Sequence, residues 1–194
     1  LSTTNIPVPD DGNTSEADTI PTYNDTGGVV TVSSITDNIS NIKSVNSTNG
    51  IAIGTALITA TDAASLNDAT AINGFTNAQV TLNVVQDTVS NITSIDGIKT
   101  TDVSMAAAAV TVSDAATLAN ATAINDFTTG LVTLNSVEDA YSKIQDIKKI
   151  DDAQVNMGAA AVKVTDNVTK TEVDDLRTDT TGNITLTSLT EDKV

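Results

Sequence analysis

The sequence predicts a repeat solenoid: a β-rich α/β array of about four 52-residue repeats, with parallel strands and short helices. Three observations carry that expectation. A long segment recurs at a fixed step, each half of the step holds one strand-like and one helix-like stretch, and the apolar content comes from small and β-branched side chains. The segment TDAASLNDATAINGFTNAQVTLN from Thr61 returns as SDAATLANATAINDFTTGLVTLN from Ser113, a step of about 52 residues. A further step reaches TDNVTKTEVDDLRTDTTGNITLT from Thr165, where the apolar positions and the closing strand survive. A step back reaches PDDGNTSEADTIPTYNDTGGVVTVS from Pro9, with a short insertion before the strand. The copies fall at 1–52 (degenerate), 53–104, 105–156 and 157–194 (partial), and are expected to form one solenoid domain over 1–194.

The first half of each copy reads as a short strand, then Asp10, Asp62, Asp114 or Asp166, then an apolar series such as Leu66, Ala69, Ile72, Phe75 or Leu118, Ala121, Ile124, Phe127. Tyr23, Phe75 and Phe127 share one repeat position, which predicts a stacked aromatic column. The second half reads as a strand (Val30 to Val32, Val80 to Leu82, Val132 to Leu134), then Asp37, Asp87 or Asp139. After it come Ile39, Ile42, Val45, or Val89, Ile92, Ile95, Ile98, or Tyr141, Ile144, Ile147, Ile150. A short β-like segment closes the copy at Ile51 to Ile53, Val103 to Met105 and Val155 to Met157. No half can bury its apolar face alone, so each must lie against the next. Alternation in VTV, VTL and ITL puts Thr on one face of a parallel sheet. Apolar spacing of three drifts by about 60° per step on an α-helix, which predicts short, partly 3₁₀ helices.

Composition removes much chemistry. The 194 residues include no Cys, His or Trp, so thiolate pairs, Ser-His-Asp sites, haem ligation and ordinary zinc sites are excluded. With 25 acidic against 9 basic residues and a net charge of -16, nucleic acid and anionic membranes are repelled and cations attracted. No apolar run reaches the roughly 18 residues of a membrane span.

One carboxylate per strand, stacked along a solenoid, would make a ladder of hard oxygen ligands. Asp62, Asp114, Asp166, Asp87 and Asp139 are therefore candidate metal ligands, with Ca2+ the candidate ion. Capping of the helix that follows each Asp is the stronger reading. The acidic clusters Asp10-Asp11, Glu16-Asp18, Asp151-Asp152, Asp174-Asp175 and Glu191-Asp192 lack EF-hand spacing and read as solvated charge. Scarce Lys, Arg and aromatics argue against catalysis, so no catalytic or cofactor-binding residue is expected. N-x-[ST] sequons occur at Asn13, Asn24, Asn38, Asn46, Asn91, Asn120, Asn167 and Asn183.

The stretches VTVSDAATLANATAIN, TLNSVEDAYSKI and TLNVVQDTVSNI, with their D-x-x-x-N-I core, resemble the strand-rich repeats of very large secreted surface proteins of bacteria, notably cyanobacteria. Those proteins are similar to S-layer, adhesin and type I secreted calcium-binding proteins. The resemblance implies an extracellular or cell-surface, non-catalytic structural role in an S-layer, a surface filament or an adhesin stalk. The nonapeptide G-G-x-G-x-D is absent, so that group's calcium site is not carried over. The expected partners are further copies of the chain or neighbouring repeats of a longer one, and divalent cations, with no nucleic acid and no membrane insertion. The alternatives are a phage virion or fibre protein of the same repeat type, or a glycan-binding adhesion module with Tyr141 as its lone exposed aromatic.

Overall fold

A computed structural model describes residues 29–98, 102–150 and 154–191. It is an α/β fold of parallel strands with six short helices among the described residues. The chain divides into two compact units, Leu1–Val85 with Ser94–Met105, and Gln86–Thr93 with Ala106–Val194.

The first unit contains β1 (Val30–Thr31), β2 (Ser34–Asp37), α1 (Ile39–Ser47), β3 (Ile51–Ala52), β4 (Leu57–Ala64), α2 (Leu66–Asn73), most of β5 (Val80–Asp87) and β6 (Val103–Ser104). Strand β4 lies between β2 and β5, β6 extends the pairing at the start of β5, and β1 pairs with β3, all in parallel. Its core stacks Ile35, Ile58, Ala60, Val80 and Leu82 of the strands against Ile42, Val45, Ala69 and Ile72 of the helices. Burying each Ile or Leu contributes about 1.5–3 kcal/mol.

The second unit contains β7 (Ala109–Ala116), α4 (Leu118–Phe127), β8 (Val132–Asp139), α5 (Tyr141–Ile147), β9 (Val155–Asn156), β10 (Ala161–Thr169), α6 (Lys170–Asp179) and β11 (Ile184–Thr190). The helix α3 (Val89–Asp96) begins in this unit and ends in the first. Strand order is β7, β8, β10, β11, again parallel, with β9 on the first half of β8 and β10 on its second half. Val110, Val112, Val132, Leu134, Val162 and Val164 meet Ala121, Ile124, Ile144, Ile147 and Leu176 in its core. In β11 the apolar pattern is left open: Leu189 is 60% exposed, whereas Val137, at the same repeat position in β8, is fully buried.

The helices are α-helical for 7 to 10 residues, not partly 3₁₀. Three apolar positions spaced by three, as in Ile39, Ile42 and Val45, fan out over about 120°, no wider than an ordinary apolar stripe, so a short α-helix absorbs the drift. Behind each first-half helix the chain turns on a buried Thr. Thr76, Thr128 and Thr180 donate their hydroxyls to the carbonyls of Ala56, Ala108 and Ala160 at 2.7, 2.6 and 2.6 Å. The same oxygens accept from the N–H groups of Ala78, Gly130 and Gly182. A Cβ at Gly130 would stand 2.2 Å from the Ala108 carbonyl oxygen, which explains glycine there.

Phe75 and Phe127 are both half-buried at matching repeat positions, each in its own unit; Tyr23 lies outside the described residues.

Candidate functional site

The repeated aspartates sit differently from N-caps of their own helices. The strands β4, β7 and β10 run straight through Asp62, Asp114 and Asp166, and the N-cap positions beyond them belong to Ser65, Thr117 and Thr169. Each of these caps is reciprocal, with Asp68, Asn120 or Glu172 bonding back to the cap's N–H. The signals S-L-N-D, T-L-A-N and T-K-T-E were readable in the sequence as capping boxes, and the more regular Asp spacing hid them.

Asp62, Asp114 and Asp166 lie in β-bulges. Pairing shifts by one residue between Ala60 and Ala63, Val112 and Ala115, and Val164 and Asn167. A bulge re-aims a side chain, and here it turns the carboxylate onto the helix that precedes it in the chain. Asp62 Oδ1 accepts from the N–H of Ile39, the first residue of α1, at 2.8 Å. Asp114 Oδ1 accepts from Val89 N–H, first in α3, at 2.8 Å, and Asp166 Oδ1 from Tyr141 N–H, first in α5, at 2.9 Å. The N-cap of α5 is Ala140, which offers no side-chain bond, so Asp166 supplies what the local sequence lacks.

The second-half aspartates do two jobs. Oδ1 of Asp37, Asp87 and Asp139 accepts the next residue's N–H at 2.7, 2.8 and 2.8 Å. Asp139 Oδ2 reaches back to Leu118 N–H, first in α4, at 3.0 Å. The D-x-x-x-N-I core thereby acquires a physical meaning: Asn41 and Asn91 donate Nδ2–H to Asp37 and Asp87 at 2.8 Å, while Ile42 and Ile92 are fully buried. Lys143 replaces that Asn after Asp139. Beside it a shallow cleft between α4 and α5 is lined by Leu118, Ala119, Thr122, Ala123 and Asp126.

Negative charge at helix N-termini is favoured by the helix dipole, so the aspartates are stabilised in place by amides. Among the described residues no three acidic side chains converge as a metal site. Asp62, Asp114 and Asp166 are exposed, Asp87 and Asp139 half-buried, each on its own strand. Asp10 lies outside the described residues.

Ion pairs cross between helices. Lys43 of α1 meets Asp68 of α2 at 2.7 Å. Burial raises the Asp68 carboxyl's pKa, but Lys43 and the Ser65 bonds outweigh it and leave it below the usual value. Lys148 of α5 pairs at 2.6 Å with Asp179 of α6, which also accepts from Gln145. Tyr141 is not free on a groove: its hydroxyl donates to Asp175 at 2.8 Å. Burial, then Asp175, push its pKa up to about 12. Asp174, of the predicted acidic clusters, is paired with Lys170 and Arg177; Asp10-Asp11, Glu16-Asp18 and Asp151-Asp152 lie outside the described residues.

The structure also sorts the sequons. Asn38, Asn91 and Asn120 use their side chains in caps or in the Asp-Asn bond, whereas Asn46, Asn167 and Asn183 are exposed. No helix of the described residues is long and apolar enough to cross a membrane. The chain matches no family model, no curated protein and no solved structure.

Proposed function

We propose that the chain is a non-catalytic structural repeat protein, a β-rich solenoid of 52-residue repeats that builds an extracellular bacterial surface assembly such as an S-layer, a filament or an adhesin stalk. One observation carries this reading: carboxylates at equivalent repeat positions, Asp62, Asp114 and Asp166, each complete the helix before them. A unit of this kind is finished by its successor, which is the economy of an array rather than of a catalyst. The regular recurrence leaves no outlying cluster of acids that would suggest a reaction centre. The partners in this reading are further copies or further repeats, with divalent cations bound at the solvent side of the carboxylates.

Electron microscopy with sedimentation, on one sample in calcium and then in chelator, tests it. Filaments or sheets are expected. They persist in chelator if protein surfaces hold them, because the column carboxylates already hold amides, and they dissolve if calcium links them. A monomer under both conditions sinks the assembly reading.

A further inference from the structure

The first unit presents, on the sheet face turned away from its helices, a row of four hydroxyls in register. Thr36 lies opposite Thr59, Thr59 opposite Thr81, and Thr81 opposite Ser104. Each alternates with buried neighbours such as Ile35, Ile58, Val80 and Val103, so all four face the same way. Other Thr side chains of this unit are spent internally: Thr70 bonds the Leu66 carbonyl, and Thr76 is buried on Ala56. The four hydroxyls of the row make no hydrogen bond within the described residues.

Charge is kept off this row in a chain of net charge -16. The nearest carboxylates, Asp37 and Asp62, are turned onto the amides of Asn38 and Ile39. Strands about 4.8 Å apart are backed on one face by helices about 10 Å across, and the wider layer leaves the free face on the inner side of the bend.

We propose that this row binds a neutral polysaccharide chain laid across the strands. A hydroxyl both donates and accepts, which matches a sugar hydroxyl, and one strand spacing is close to the length of one pyranose ring. Leu57, 56% exposed beside Ser34 in the adjoining row, offers apolar contact to ring C–H groups. An anionic glycan is repelled by the whole chain, whereas a neutral one meets an uncharged face. Each contact is weak, and binding accumulates along the row. This inference is independent of whether the chain assembles.

The test is native affinity electrophoresis of the full chain in gels containing linear β-glucan, mannan or dextran, beside blank and alginate gels. Retardation in at least one neutral gel and none in alginate is expected. The double variant Thr59→Val/Thr81→Val removes two hydroxyls at constant shape and lowers the binding constant about tenfold, with the thermal unfolding curve unchanged. Thr59→Lys provides a second check: Lys163 occupies the same repeat position in β10, so the fold accepts Lys there, and binding is lost. Equal mobility in blank and neutral gels, undiminished retardation of these variants, or equal retardation by alginate would overturn the proposal.

Discussion

Removing one carboxylate tests the backward capping most directly. Asp114→Ala deprives Val89 N–H of its acceptor at 2.8 Å, although Asp114 lies 25 residues further along the chain. Losing a helix-capping acceptor costs about 0.5–2 kcal/mol, and because this bond is exposed, water replaces part of it, leaving about 1 kcal/mol. Asp114→Asn keeps an acceptor oxygen and removes only the charge at the helix N-terminus, worth about 0.3–1 kcal/mol. The same pair of changes at Asp62 costs more, toward 2 kcal/mol for Ala, since Ile39 is only 7% exposed and its amide is harder for water to reach. Urea unfolding gives the stability change, and amide hydrogen exchange tells where it acts. Faster exchange at Val89, with Leu118 and Asn120 in the first turn of α4 unaffected, is expected for Asp114→Ala. Faster exchange in α4 with Val89 unchanged would mean that Asp114 caps its own helix, and the argument would fail.

Thr128→Val is expected to cost about 1–3 kcal/mol in urea unfolding, because the Ala108 carbonyl and the Gly130 N–H lose their partner inside the protein; Thr128→Ser, which keeps the hydroxyl, should cost much less. In a Tyr23→Phe background the remaining phenol, Tyr141, should titrate near 12 by tyrosinate absorbance, and Asp175→Asn should bring it back toward 10; an ordinary value in the parent would refute the Tyr141–Asp175 bond. Because the folded Tyr141 holds its proton more tightly, its stabilising effect is present below pH 10 and is lost as pH rises through 12. The Asp68 carboxyl is shifted the other way from its ordinary 3.8, so the stability that Lys43 confers is present above that pH and lost as pH falls through the lower folded value. Lys43→Met should therefore be less stable than the parent at neutral pH and equal to it in strong acid; a difference that persists in acid would assign the effect to packing.

Much of the fold was legible because the repeat prints it several times over. The strand cores VTL at Val80 and Val132, the short segments at Ile51, Val103 and Val155, and the buried Ile42, Ile92 and Ile144 could each be placed from period and alternation. The bulges could not, since an extra residue in a strand has no fixed composition when Thr, Ser and Asp fill it. Without the bulge, the Asp spacing looks like an ordinary cap three residues early. The direction of the Asp bonds was equally hidden: an acceptor 23 or 25 residues away in sequence leaves no local signature. The hydroxyl row was half visible, as Thr between apolar neighbours, but its register across four strands comes only from the pairing.

The backward-reaching carboxylates give the chain a direction of completion. As it leaves a ribosome or a secretion channel N-terminus first, α1, α3 and α5 can form but cannot close their first turns until Asp62, Asp114 and Asp166 have followed and settled into their bulges. Each new strand thus locks the helix already made, so that ordering advances as a one-way ratchet, one unit behind the point of emergence.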